Sequence, residues 1–257
     1  MKRTASEILY GRKPVQLFLE KSPRKPVRLW LDRRLNPQVQ DKFSRLARGR
    51  SIPVSPVDPG QLDRITHRAV HQGVAVEADP IRVRNVSDIQ ISRGPAPAAL
   101  LALDAVTDPQ NFGAICRTAE SFGLGGVIFE SREAPPLGGA AYKASAGAID
   151  FLPLYAVSNL AEALRTVKSK GLTIVGLDAK TLISLHELDK HKGTDRVVFV
   201  LGSEGRGIQA RVKSVCDIQC AIPIKGHVGS LNVSAAAAVA CFWWTGRGRD
   251  DARRRVT

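Results

Sequence analysis

Three segments in the C-terminal half of the chain combine polar side chains with turns that could bring them together. The first, 103–119, reads L-D-A-V-T-D-P-Q-N-F-G-A-I-C-R-T-A and carries Asn111 and Arg117. A helix that begins near Asn111 could present both side chains toward the carboxyl end of the preceding strand, where open α/β sheets bind ligands. Taken alone, Asn111 is more typical of a helix cap and Arg117 of a solvated helix face.

The second segment, 199–208, contains an apolar strand and a glycine-rich turn and reads F-V-L-G-S-E-G-R-G-I. Its three glycines, Gly202 among them, would let a ligand approach the backbone closely. No G-K-[ST] follows and the spacing is not G-x-G-x-x-G, so the turn is neither a Walker phosphate loop nor a dinucleotide fingerprint. Glu204 adds a carboxylate, which taken alone would be a favourable charge at the start of a helix.

The third segment, 221–238, passes from a strand through a loop into a helix that is rich in alanine. Ser230 and Asn232 stand where that helix is expected to begin, and Ser230 taken alone would be a helix cap. The consecutive alanines of 235–238 would permit another backbone to approach closely, although they are also typical of a simple core. A hydroxyl and a further amide thus join the candidate site residues.

The positive charge of the chain is concentrated in its N-terminal part. The 257 residues carry a formal net charge of +14. Residues 1–95 contain 19 basic and 9 acidic side chains, residues 96–246 contain 14 and 13, and residues 247–257 contain 5 and 2. A basic part joined to a nearly neutral body indicates a catalytic body with a polyanion-binding part. Nucleic acid is favoured over a merely basic surface.

Several classes of protein are disfavoured by the composition. The four cysteines lack C-x-x-C spacing and a matching histidine set, so we expect buried thiols and no metal site. The N-terminus carries no apolar signal core. The longest apolar stretch, 233–244, is shorter than the ~20 residues of a membrane-spanning helix. We therefore expect a cytoplasmic protein with no membrane partner.

Periodicity divides the chain into four parts. Residues 1–80 predict a small, basic α/β sandwich, 81–98 a Gly/Pro-rich linker, 99–246 a second domain, and 247–257 a basic, irregular tail. Strands and helices of the first part are expected at 27–31, 37–48, 52–57, 61–66 and 73–77. A group of its basic residues could face RNA, although each alone is more typical of a solvated position: Arg24, Lys25, Arg28, Arg33, Arg34, Arg45, Arg48 and Arg50.

The second domain shows near-continuous apolar strands that alternate with helices. The predicted strands are 100–106, 126–130, 151–157, 172–177, 197–201 and 217–224. The predicted helices are 113–122, 160–169 and one that begins at about 231. This alternation predicts a parallel sheet with helices on both faces.

The three segments together resemble the SpoU/TrmH branch of the SPOUT methyltransferases. The motifs of that family, D-x-V-x-D-P-x-N-x-G-A-I-x-R-T-A, G-S-E-G-x-G and I-P-x-x-G-x-V-x-S-L-N-V-S, all occur in this order within residues 100–246. The stretches Tyr10–Val15 and Thr66–Val74 are similar to the N-terminal domain of the members that modify ribosomal RNA. Three long motifs in order are a far more specific signal than any one of them.

The resemblance implies an α/β fold in which the parallel-sheet domain contains a deep trefoil knot, an arrangement that general folding rules would not predict. It implies a homodimer whose last helix contributes to the interface, and an N-terminal domain similar to RNA-binding ribosomal proteins. The cofactor would be S-adenosylmethionine, bent within the knotted loops and in contact with Gly202, Ile222 and Leu231.

The reaction implied by the resemblance is attack of a ribose 2′-oxygen on the methyl group of the cofactor. A ribose hydroxyl is a poor nucleophile and needs a base or a stabilised alkoxide. Removing a proton from a free guanidinium near neutral pH costs on the order of 9 kcal/mol. We therefore expect Arg117 to stay cationic, grip a substrate phosphate and stabilise the alkoxide. Asn111 and Glu204 would orient Arg117, and Ser230 and Asn232 would fix the loop and the ribose.

Other functions stay open at this point. A tRNA ribose methyltransferase of the same family would share the motifs, but the N-terminal match favours a guanosine of 23S rRNA. A basic ribosome-assembly factor that binds RNA without methylating it would not need Asn111, Arg117, Glu204 and Asn232 intact. An enzyme acting on nucleotide phosphates is disfavoured because the expected lysine and metal ligands are absent from the glycine turn.

Overall fold

The computed structural model describes residues 6–90 and 98–254 of the chain. Packing divides the chain into two compact units. The first comprises residues up to 82 together with 136–151, and the second comprises 83–135 together with the residues from 152 onward. The sequence pattern assigned 136–151 to the second domain, whereas these residues pack with the first unit.

Within these described ranges, the two units contain ten strands and eight α-helices. In chain order they are β1 (Glu7–Tyr10), α1 (Arg12–Lys21), β2 (Pro26–Asp32), α2 (Pro37–Gly49), β3 (Val54–Val57), α3 (Pro59–Ile65), β4 (Val74–Ala78), β5 (Ala98–Asp104), α4 (Pro109–Ser121), β6 (Val127–Glu130), α5 (Gly139–Ala144), β7 (Leu154–Val157), α6 (Leu160–Ser169), β8 (Thr173–Leu177), β9 (Arg196–Gly202), α7 (Ala210–Lys213), β10 (Ile218–Cys220) and α8 (Val233–Arg254).

The first unit is a four-stranded sheet in the order β1-β4-β2-β3 with helices packed on it, so the predicted α/β unit is confirmed. β4 is antiparallel to both of its neighbours, and β2 is parallel to β3. Sequence periodicity missed β1 and α1. Yet α1 buries Val15, Phe18 and Leu19, whose i, i+3, i+4 spacing is that of an amphipathic helix.

Arg24 is not part of an RNA-facing surface, as the charge pattern suggested, because it is only 8 % exposed. Its guanidinium donates from Nε to Asp150 Oδ1 at 2.6 Å and from Nη1 to Glu7 Oε2 at 2.9 Å. The same group lies 5.3 Å from the ring centres of Phe18 and Tyr142. The expectation was wrong since the sequence does not reveal that a carboxylate 126 positions away becomes the partner of this arginine.

Arg50 is likewise structural. Its guanidinium donates to the carbonyl oxygens of Ser22 and Arg24, at 3.0 and 2.8 Å, and so fixes the turn that follows α1. Two of the eight arginines and lysines proposed as an RNA surface are therefore occupied inside the unit.

The second unit is a parallel six-stranded sheet in the order β10-β8-β9-β5-β6-β7, as predicted. One face packs on α6 and α7 through buried residues such as Ala102, Val200 and Leu164. On the other face, Phe129 of β6 meets Phe112 of α4 edge-on, with ring centres 5.2 Å apart. Helices therefore cover both faces, which explains the continuous apolar strands.

The connections of this sheet create a crevice at one edge. β5 and β9 are neighbours, but the chain leaves β5 toward β6 on one side and leaves β9 toward β10 on the other. Loops that diverge in this way leave a gap beyond the carboxyl ends of the two strands, where α/β proteins bind ligands. The trefoil knot stays a prediction.

Two boundaries differ from the sequence pattern. Residues 83–90 of the proposed linker pack on the second unit, where Ile89 is buried and its carbonyl accepts from Lys170 Nζ at 3.0 Å. The rest of that linker, 91–97, lies outside the described residues. The irregular tail expected from Arg247 is also wrong, because α8 continues to Arg254. Arg247 donates to the Thr194 carbonyl at 2.6 Å and so ties the helix to the unit.

We predict that Arg24→Met lowers the free energy of unfolding by about 3–5 kcal/mol, because it leaves the buried carboxylate of Asp150 and the half-buried one of Glu7 without their cation. Arg48→Met, on the exposed face of α2, is the matched control and should change stability by less than about 0.5 kcal/mol. Urea unfolding followed by circular dichroism measures both. Equal stability of the two variants would contradict a structural role for Arg24.

Candidate functional site

Asn111, Glu204 and Asn232, one from each of the three segments, bind one another in the crevice. Asn111 Nδ2 donates to Glu204 Oε1 at 3.1 Å. Asn232 Nδ2 donates to Asn111 Oδ1 at 3.0 Å and to Glu204 Oε1 at 2.5 Å. This hydrogen-bonded triangle brings together side chains that are 93 and 121 positions apart.

The helix caps explain why these amides are available. Asp108, not Asn111, caps α4, accepting from the backbone N–H groups of Gln110 and Asn111 at 3.3 and 3.1 Å. At α8 the cap is Asn232 rather than Ser230: its Oδ1 accepts from Ser234 N at 2.9 Å. The capping oxygen of Asn232 therefore fixes its amide nitrogen in the direction of the triangle.

The glycine-rich turn folds back on the end of β9. Gly207 N donates to Ser203 O at 2.9 Å, and Gly205 and Gly207 have φ of 82° and 68°. A Cβ on Gly202 would lie 2.1 Å from the carbonyl carbon of Gly207. A side chain at position 202 is therefore incompatible with this turn, and the backbone itself forms the wall of the site.

Asp104 holds the far end of that turn. It is fully buried at the end of β5, beside Gly202 of β9, and accepts from Gln209 N at 2.6 Å and from Gln209 Nε2 at 2.9 Å. Burial raises the pKa of Asp104 above its ordinary value of 3.8, and the hydrogen bonds from Gln209 oppose the shift only in part. Neither residue was predicted from the sequence, although an aspartate at the end of an apolar strand was a usable signal.

A cavity of about 700 Å³ lies beside the triangle, within the size range of small-molecule sites. The turn after β9, the loop before α8 and the end of β8 line it. Predicted residues on its wall are Gly202, Glu204, Ile222, Ser230, Leu231 and Asn232. At the end of β8, Asp178 accepts from Lys213 Nζ at 2.6 Å, and this hydrogen bond is the main reason why the pKa of Asp178 is lowered.

Arg117 is the one predicted site residue that this arrangement leaves apart. It is exposed on α4 and is absent from the cavity wall. Within 6–90 and 98–254, its side chain forms no hydrogen bond or ion pair. In a single chain Asn111 and Glu204 bind Asn232 and do not contact Arg117, so the orientation of Arg117 by these two side chains stays a prediction.

The described residues were also compared with the needs of metal binding and of thiol chemistry. Among the described residues, no cluster of three or more His, Cys, Asp or Glu side chains is placed to hold a metal ion. Burial raises the pKa of Cys220 and of Cys241 to about 12 and that of Cys216 to about 11, so these thiols stay protonated at neutral pH. In the same ranges, no helix is both long and apolar enough to cross a bilayer.

Two family patterns match the chain. The pattern of the SpoU rRNA methylase family covers residues 98–242. The pattern described as RNA 2′-O ribose methyltransferase substrate binding covers residues 8–83. Together they span most of both units and contain all three motif segments.

Sequence and fold comparisons agree with these patterns. The chain is 37% identical over 239 residues to the 23S rRNA (guanosine-2′-O-)-methyltransferase RlmB of Pseudomonas aeruginosa, covering 92% of this chain and 94% of that one. It matches a putative RNA methyltransferase of the TrmH family from Porphyromonas gingivalis at 26% identity, with a TM-score of 0.72 over 94% and 90% of the two chains. The AdoMet-bound rRNA methyltransferase of Sinorhizobium meliloti shares the fold, with 24% identity and a TM-score of 0.74 over 94% and 87%.

We predict that Gly202→Ala destabilises the chain by about 1–3 kcal/mol, because its Cβ would overlap the backbone of Gly207. Gly226→Ala is the control, since a Cβ at that position would have no neighbouring atom within 4 Å. Thermal unfolding of the two variants measures the difference. A Gly202→Ala protein as stable as Gly226→Ala would show that the turn does not pack as described.

Proposed function

Since the chain belongs to the SpoU rRNA methylase family, we propose that it transfers the methyl group of S-adenosylmethionine to a ribose 2′-hydroxyl of RNA. The observation that carries the proposal is the meeting of Asn111, Glu204 and Asn232 beside a cavity of cofactor size. An RNA-binding protein without catalysis would have no need for three distant polar side chains to converge on a cavity.

The cavity fits the cofactor where the glycine turn exposes its backbone. Position 202 has no room for a side chain, so the peptide groups of the turn can approach an adenosine closely. We assign cofactor contacts to Gly202, Ile222 and Leu231, all of which line the cavity. When bound, the cofactor supplies a methyl group on a positively charged sulfur.

The side chains of the triangle would position the ribose. Asn111 and Asn232 offer amide groups and Glu204 a carboxylate, a set that can bind a hydroxyl both as donor and as acceptor. Ser230, on the cavity wall, would hold the loop before α8. Arg117 would grip an RNA phosphate and stabilise negative charge on the 2′-oxygen as its proton leaves. Its exposed guanidinium is available for that contact.

We infer that the substrate is a guanosine of 23S rRNA. The relative from Pseudomonas aeruginosa, which carries that activity in its name, aligns with the chain over both units at 37% identity. The basic N-terminal part fits a large polyanion. A cytoplasmic location belongs to this proposal, because that is where such an RNA is found.

We infer further that the chain acts as a homodimer through α8. Ala235, Val239, Phe242 and Gly246 are exposed on this helix at spacings of four, three and four residues, which places them on one face. Phe242 is 70 % exposed. An apolar stripe of this kind is typical of a surface that a second copy covers.

The proposed function is tested by methyl transfer from radiolabelled S-adenosylmethionine to total RNA from cells that lack the gene. We expect label in 23S rRNA, and primer extension at low nucleotide concentration should stop at one guanosine ribose. Glu204→Gln is the control and should lose transfer. Label in tRNA would support the tRNA alternative, and RNA binding without any transfer would support the assembly factor.

For Arg117 we predict that Arg117→Lys lowers kcat/KM about tenfold or more near neutral pH, because a lysine cannot bind a phosphate bidentately. Arg165→Lys, an exposed arginine on α6, should leave the rate unchanged. The measurement is single-turnover methyl transfer across neutral pH. A faster Arg117→Lys enzyme would favour Arg117 as general base and contradict the electrostatic role.

For the dimer we predict that Phe242→Glu, which places a charge in the apolar stripe, yields a monomer near the chain mass of 27.8 kDa. Leu182→Glu is the control, because Leu182 is fully exposed outside the stripe, and it should remain dimeric like the wild type. Sedimentation equilibrium at micromolar concentration measures both. A dimeric Phe242→Glu protein would place the interface elsewhere.

A further inference from the structure

The loop between α3 and β4 holds three side-chain-bearing residues in a left-handed backbone conformation. His67, Arg68 and Gln72 have φ of 54°, 59° and 56°. Residues other than glycine rarely adopt this region, and two consecutive ones are rarer still. Backbone strain of this kind concentrates where a loop must present its side chains in a fixed way.

Hydrogen bonds from neighbouring elements fix the loop, which we define as residues 66–73. Arg12 donates from its backbone N to Gln72 Oε1 at 3.0 Å and from Nε to the Gln72 carbonyl at 3.1 Å. Lys143 Nζ donates to the Val70 carbonyl at 2.8 Å. Within the loop, Gly73 N donates to His71 Nδ1 at 2.9 Å. The loop is therefore held in one shape before any partner arrives.

The exposed surface of this loop consists of one apolar side chain surrounded by basic side chains. Val70 is 71 % exposed. The exposed basic or ring-bearing residues of the loop and its immediate neighbours are Arg12, Lys13, Arg64, His67 and Arg68. Asp63, the acidic side chain next to them, is turned toward His71 Nε2 at 3.2 Å.

Some of the other basic side chains of this unit are less available. Arg34 and Arg45 are ion-paired with Asp32 and Asp41, and Arg24 is buried as described above. A cationic side chain that already has a partner gives up that contact when it binds a phosphate. In the loop, Arg68 is exposed, and its side chain forms no hydrogen bond or ion pair with any residue in 6–90 or 98–254.

We propose that loop 66–73 is the docking site of this unit for an irregular, partly single-stranded segment of the substrate RNA. Arg68 contacts a phosphate, and Val70 and His67 pack against an unstacked base. This division follows the chemistry by which proteins recognise RNA outside regular helices. The proposal rests on the proposed function, because it assumes that RNA is the substrate.

The first test compares the RNA affinity of two variants, each of which lacks one basic side chain. Full-length protein is titrated with in vitro-transcribed 23S rRNA, using Arg68→Ala and the matched control Arg48→Ala on α2. Arg68→Ala should weaken binding about tenfold, with a log–log salt slope shallower by roughly 0.7–0.9. Arg48→Ala should bind like the wild type.

A second variant separates binding from folding. Arg68→Gly removes the same cation but suits the left-handed backbone, so we expect thermal stability no lower than that of Arg68→Ala and the same loss of RNA affinity. Val70→Ser should weaken binding without changing the salt slope, because it removes apolar contact and no charge. Neither position touches the cavity, so affinity for S-adenosylmethionine should stay constant.

The proposal is overturned if both Arg68 variants bind the rRNA like the wild type, or if Arg48→Ala weakens binding as much as they do. Its failure is distinguishable from that of the proposed function. A wild-type protein that binds the rRNA but transfers no methyl group would end the proposed function, while the same binding comparison would still decide for or against the loop.

Discussion

The site depends on two neighbouring strands, β5 and β9, whose carboxyl ends meet at one edge of the sheet. The candidate site residues lie on segments near that edge. α4 follows β5, the glycine turn follows β9, and α8 packs against α4. The buried carboxylate of Asp104, at the end of β5, holds the far end of the glycine turn by binding Gln209. Burying this carboxylate without partners would cost folding free energy. The two hydrogen bonds from Gln209 offset that cost, and they also fix the turn.

A rigid turn explains how so few side chains can build a cofactor site. Since Gly202 lies against the backbone of Gly207, the turn has one shape, and Glu204 is presented toward Asn111 and Asn232 with little freedom. Preorganised polar groups act more strongly than flexible ones because they need not reorder during the reaction. The first unit also contains a preorganised loop: hydrogen bonds from Arg12 and Lys143 hold loop 66–73 in its left-handed conformation.

Much of this architecture could be predicted because it follows from patterns of residues that are close in sequence. Continuous apolar strands indicated the parallel sheet, and the three motifs indicated the family and the residues that meet. Pairings between distant residues outside the motifs were not predictable. Asp104 and Gln209 are 105 positions apart, and Arg24 finds Asp150 across 126. Charge counts treat such an arginine as surface, whereas burial makes it structural. The continuation of α8 was not predicted because glycines and charged residues in the tail suggested irregular structure, although its alanine and arginines favour a helix.

We propose that Asn111 and Glu204 act as one unit in methyl transfer. A double-mutant cycle on kcat/KM tests it, with Asn111→Ala, Glu204→Gln and the double variant assayed on the same rRNA. We expect the double variant to lose little more than the worse single one, which corresponds to a coupling of about 1–3 kcal/mol. Strictly additive losses would mean that the two side chains act independently, and would contradict a shared site.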